Sequence, residues 1–153
     1  MSIDQRLAEL GITLPQAAAP VASYVPAVEI GGLLHISGQI SFDEAGGLLK
    51  GRLGEDIDVE GGIAAARRCG VMLLAQMKAA LGSLDRVDTV LKVLGMVRGT
   101  PEFGEQPEVI NGCTDLFVEV FGDAGKHARR AVGVSVLPLG VAVEVDAIFA
   151  VKR

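Results

Sequence analysis

The chain has 153 residues and a formal charge of −5; half its residues are hydrophobic, 4% are aromatic and none is tryptophan. This length suits a single domain, 1–153, able to bury roughly two thirds of its unfolded surface, and the apolar content excludes a disordered chain. The acidic balance argues against a nucleic-acid surface, which needs a basic stripe, and no apolar run reaches the ~18 residues of a membrane span.

Residues 1–20 read as a lead-in. It opens with a charged, amphipathic short helix over 4–11, unlike a signal peptide, closed by Gly11 and Pro15. An Ala/Pro-rich stretch, Ala17 to Val21, follows along the surface. Ala27–Ile30 and Leu33–Ile40 flank Gly31-Gly32, a strong hairpin signal. Ser41 to Glu55 carries four glycines and mixed charge. It reads as a long loop with a short third strand at Leu48-Leu49, and loops of that length are often functional.

Val59 to Leu81 is the clearest helix, with Asp58 as N-cap and Gly82 as terminator. Ile63, Ala66, Gly70, Leu73, Met77 and Leu81 form its packing stripe. Val87 to Val97 is apolar on both alternations, as expected of a central strand buried on both faces. A second helix runs from Pro107 to Phe121, with Val109, Cys113, Leu116 and Val120 on one stripe. Cys69 and Cys113 lie in helical patterns without metal-ligand spacing. They read as buried, reduced thiols of a cytoplasmic protein, and no metal site is expected.

Lys126 to Arg153 reads as two strands turning at Leu137-Pro138-Leu139-Gly140, a β-hairpin. With Val136 opposite Val141, Arg129, Glu144 and Asp146 share one side of the sheet, above small residues Ala131, Gly133 and Ala142. Such a face suits either a small ligand or a solvated, salt-bridged surface. The element order predicts an α+β fold: a two-layer sandwich of one mixed sheet with two helices on one face. The other face is left uncovered, so a homo-oligomer is expected. No dinucleotide, phosphate-loop, Gly-x-Ser-x-Gly or His-Glu-x-x-His motif is present. His35 and His127 read as structural hydrogen-bonding groups.

Ala22-Ser23-Tyr24-Val25-Pro26-Ala27-Val28, then Gly31 to Leu34 and Ile36-Ser37-Gly38-Gln39, resembles the opening of the YjgF/Rid family, the reactive intermediate deaminases. Ala128-Arg129, Ala131-Val132, Leu137-Pro138 and Val143-Glu144-Val145 resemble its C-terminal signature, and Asn111 matches an Asn of its last helix. The resemblance covers about residues 20–153. The loop at 41–55 and Gly-Lys-His-Ala-Arg resemble a longer, uncharacterised subgroup.

The resemblance implies a chorismate-mutase-like fold and a homotrimer with ligand clefts between adjacent subunits. It also implies cofactor-free hydrolysis of enamines or imines, such as 2-aminoacrylate, to 2-keto acids and ammonia. In that chemistry Arg129 grips the substrate carboxylate through paired hydrogen bonds and Glu144 orients or deprotonates the water. Tyr24 closes the pocket from a neighbouring subunit, and backbone near Gly38 completes the carboxylate site. The family's Gly-Pro-Tyr-Ser-Gln-Ala is here Ala-Ser-Tyr-Val-Pro-Ala, its common Cys is Ala131, and Arg130 replaces a common Ser. These departures leave open a non-enzymatic trimer that binds a keto acid or similar small carboxylate. The name endoribonuclease L-PSP also attaches to the family, but the acidic charge disfavours RNA cleavage.

Overall fold

A computed structural model describes residues 1–20 and 22–153. Val21, the end of the predicted surface stretch, lies outside the described residues. The chain begins with helix α1, Ile3–Glu9, whose Ser2 and Gln5 satisfy each other's backbone in a capping box. Strands β1, Ala27–Ile30, and β2, Leu33–Ile40, pair antiparallel. Gly31 and Gly32 both hold positive φ, 59° and 79°, as a tight hairpin turn requires.

Helix α2 runs Val59–Leu81, with the Asp58 side chain accepting from the Gly61 amide and Gly82 at its C-cap. Strand β3, Val87–Arg98, follows, then helix α3, Gln106–Phe121. Strands β4, Ala128–Val134, and β5, Val143–Val151, complete the chain. The sheet order is β1-β2-β5-β3-β4, with β3 and β4 parallel and the other pairs antiparallel. The helices pack on one face of this mixed sheet, as predicted. No helix among the described residues is long and apolar enough to cross a membrane.

The core lies between sheet and helices. Val93, Val97, Val143, Val145 and Phe149 point from the sheet into it, against Leu73, Leu74, Met77, Ile110 and Phe117. Gly95 lets α3 approach, since a Cβ there would lie 2.5 Å from the Ile110 side chain. Both cysteines are buried and free.

Three expectations need correction. The last two strands are not a hairpin, because β3 lies between β4 and β5. β3 pairs parallel with β4 on one edge and antiparallel with β5 on the other, and residues 135–142 cross over its end to join them. The predicted strand at Leu48-Leu49 is replaced by isolated bridges, Phe42 with Leu48 and Lys50 with Val141. Finally, β3 is buried only on its helix side in the single chain. Leu94 and Met96, on the open side, are half-exposed.

Candidate functional site

The inserted strand changes which charged side chains share a face. Residues directly opposite across neighbouring strands point the same way. One row across β5, β3 and β4 is Ala147, Val93 and Arg129; the next is Asp146, Leu94 and Arg130. Val93 and Ala147 are core residues, so Arg129 lies on the helix side of edge strand β4. Glu144 falls in the row of Met96 and Val132, on the open side with Asp146 and Arg130. Arg129 and Glu144 therefore project from opposite faces. The expected common face rested on the hairpin register, and the small residues beneath it serve packing instead. Ala131 packs on the core, and a Cβ on Gly133 would meet the Gln106 side chain at 2.8 Å.

The predicted residues fall into two groups. In the first, Arg129 Nη1 donates to Asn111 Oδ1 at 2.7 Å and to Thr114 Oγ1 at 3.1 Å. Asn111 and Thr114 share a face of α3 at i, i+3 spacing. His127 Nδ1 lies 2.7 Å from the Gly125 carbonyl and Nε2 lies 3.0 Å from Thr114 Oγ1. A carbonyl can only accept, so Nδ1 carries the proton. Thr114 then accepts from Arg129 and donates to Nε2. Burial, opposed by the Gly125 bond and aided by the Arg129 charge, lowers the His127 pKa below its ordinary 6.5. The edge of Phe117 against its ring completes this support. His127 is thus a structural hydrogen-bonding group, as expected. Thr114 was not singled out from the sequence, though its spacing from Asn111 was a usable signal.

Both bonds of Arg129 use Nη1. Its Nε and Nη2 have no hydrogen-bond partner, and it makes no ion pair, among the described residues. That edge of a guanidinium offers two parallel N–H groups, the geometry that matches a carboxylate.

The second group surrounds a cavity of about 490 Å³ on the open side of the sheet, where Tyr24, Gly38 and Glu144 meet residues of the lead-in and of the 41–55 loop. Among the described residues no Lys or Arg lines it. Gly38 makes room for the carboxylate, because a Cβ there would sit 2.6 Å from Glu144 Oε1. Burial first, and the neighbouring Asp146 second, raise the Glu144 pKa. Asp146 is raised by burial, which the Arg130 charge opposes. Arg130 thus faces the acidic pair from edge strand β4 instead of duplicating Arg129. Among the described residues no group of three or more His, Cys, Asp or Glu side chains is placed to hold a metal ion.

The two groups are complementary. One is a guanidinium without a carboxylate, and the other is a carboxylate in a largely apolar cavity without a cation. One chain holds both halves, but on opposite faces.

Comparison with known proteins places this architecture. Residues 4–151 match the family model described as "YjgF/chorismate_mutase-like, putative endoribonuclease". Protein TCP17 of Trypanosoma cruzi is 51% identical over 143 residues, covering 93% of this chain and 89% of its own. The crystal structure of Atu1372 from Agrobacterium tumefaciens, a protein of unknown function, superposes with a TM-score of 0.90 at 44% identity, covering 99% of this chain and 94% of that one. A Shewanella oneidensis MR-1 protein called a "putative endoribonuclease" superposes with a TM-score of 0.94 at 32% identity, covering 99% and 100%. The mixed sheet backed by helices, the C-terminal Arg129 and Glu144 strands and this full-length similarity have one reading: the chain belongs to the YjgF/Rid family.

Proposed function

We propose that the protein is an enamine/imine deaminase, converting 2-imino acids to 2-keto acids and ammonia in a homotrimer whose clefts lie between adjacent copies. The observation that carries this reading is the complementarity of the two half-sites. A cleft joining Arg129 of one copy to the Glu144 cavity of the next would set a carboxylate-binding cation beside a proton acceptor in a largely apolar space. The half-exposed apolar side chains on the open face, Leu94 and Met96 among them, supply a reason for copies to associate.

In this reading the free Nε and Nη2 edge of Arg129 holds the substrate carboxylate. Asn111 and Thr114, both neutral, fix the guanidinium without competing for its charge. Glu144 removes a proton from water as the oxygen bonds to the imine carbon. Glu144 returns that proton to the nitrogen, which gives the neutral carbinolamine. The hydroxyl proton then passes through Glu144 to the nitrogen, the C–N bond breaks as the C=O bond forms, and ammonia leaves. Water is the only co-reactant. A carboxyl group whose pKa is raised is better suited to take and return a proton near neutral pH. Tyr24 closes one side of the cavity. Because imines are intrinsically reactive, positioning supplies much of the acceleration.

The test generates 2-aminoacrylate in situ and follows pyruvate release. Wild-type protein should exceed Arg129→Ala by roughly 100-fold or more. A wild-type rate equal to that of the variant, across several amino-acid-derived imines, ends the deaminase reading. The departures beside Tyr24 favour a second reading, a carboxylate-binding trimer without turnover. Calorimetric binding of keto acids with no imine hydrolysis would select it.

A further inference from the structure

The cavity beside Glu144 is larger and more apolar than the smallest imino acids require. At roughly 30 Å³ per heavy atom, a three-carbon acid fills well under half of its 490 Å³. Apart from Glu144, the polar side chains at its wall among the described residues are Gln39 and Tyr24. Gln39 is already committed: its Nε2 donates to the Ser37 carbonyl at 2.9 Å and its Oε1 accepts from Gln76 at 3.3 Å. Most of the remaining wall is apolar, formed by Ala19, Pro20, Pro26, Ile40, Phe42 and Leu139.

Several features hold that wall in place. Gln76, 2% exposed, donates from Nε2 to the Ala18 carbonyl at 2.7 Å and so ties the lead-in to α2. Arg68 Nε donates to the Phe42 carbonyl at 3.1 Å and ties the long loop to the same helix. Leu139 has φ 59°, the only positive φ at a non-glycine among the described residues. A leucine in the left-handed region is strained, and glycine would relieve that strain. Retaining leucine there puts an apolar side chain, 68% exposed in the single chain, at the cavity.

We propose that this cavity receives the side chain of the organic acid and selects a branched, apolar 2-imino or 2-keto acid over a three-carbon one. The inference rests on the reading that an organic acid is held between Arg129 and Glu144, and it names the class. Each additional buried methylene adds to binding, so the larger acid gains affinity without a new polar contact.

The test is calorimetric titration of the full-length protein with 4-methyl-2-oxopentanoate and with pyruvate, alongside turnover of the imines derived from leucine and alanine. The branched acid should bind on the order of tenfold tighter or more, and its imine should show a similarly higher kcat/KM. Leu139→Gly, which relieves backbone strain and so should fold, should weaken the branched acid more than pyruvate and narrow the ratio. Phe42→Ala should narrow it through a second part of the wall. Equal affinity for the two acids, or a ratio unmoved in both variants, overturns the selectivity and leaves the organic-acid site intact. Binding of neither acid and turnover of neither imine overturns both.

Discussion

Gly112 gives a quantitative test of how the Arg129 support is built. It lies in α3 between Asn111 and Thr114, where that helix meets α2. A Cβ at this position would sit 2.1 Å from the Ile63 carbonyl oxygen and 3.0 Å from the Arg67 amide nitrogen. Ordinary contact begins near 3.4 Å, so Gly112→Ala forces the helices apart by about 1 Å. Backbone atoms cannot rotate away, which places the overpacking cost at the upper end of roughly 1–3 kcal/mol. The better helix propensity of alanine returns about 1 kcal/mol. The net loss should be about 2 kcal/mol, a fall in Tm of about 4–8 °C for a chain of this size. Circular-dichroism melts at fixed protein concentration measure it. Gly104→Ala, with nothing within 4 Å of the added carbon, is the control. The shifted helix also displaces Asn111 and Thr114 from Arg129, so carboxylate binding should weaken in the same variant. An unchanged or raised Tm would refute the close helix crossing and the positioning derived from it.

Gly38→Ala should fold, because the atom in its way is the end of a flexible carboxylate, but it should move Glu144 and lower kcat by about 10- to 100-fold in the imine assay. Stability should fall with acid in a way that depends on His127. Its folded pKa is lowered, so the unfolded chain binds the proton more readily, and stability present above about 6.5 is lost as pH falls toward the folded value. His127→Asn should flatten that part of the pH–stability profile measured by urea unfolding; an unchanged slope assigns it to other groups.

Most of the fold was legible because its local signals agree with its global needs. Gly31-Gly32 can make little but a tight turn, and Asp58 and Gly82 bracket α2 at both ends. The final pairing was not legible. Pro138 and Gly140 correctly signal a reversal, but a reversal does not say whether the strands it joins are neighbours. The decisive fact was tertiary: β3 takes the place between them. That insertion exchanges the roles of Arg129 and Arg130, because adjacent residues in a strand face opposite ways. The family resemblance points to Arg129 by residue identity, independently of which face it takes. The Thr114–His127 support was hidden because its members meet only after α3 docks beside β4. The cavity wall was hidden for a similar reason, being drawn from the lead-in, β2, the long loop and the turn before β5.

The proposed division of the site between copies can be tested by subunit mixing. Arg129→Ala and Glu144→Gln chains, each expected to be strongly impaired alone, are co-expressed or refolded together and assayed for imine hydrolysis. If each cleft takes the arginine from one copy and the glutamate from the next, an equal random mixture restores activity toward roughly a quarter of the wild-type sites. A mixture as inactive as its parents, with mixed oligomers verified by mass, would contradict a shared site.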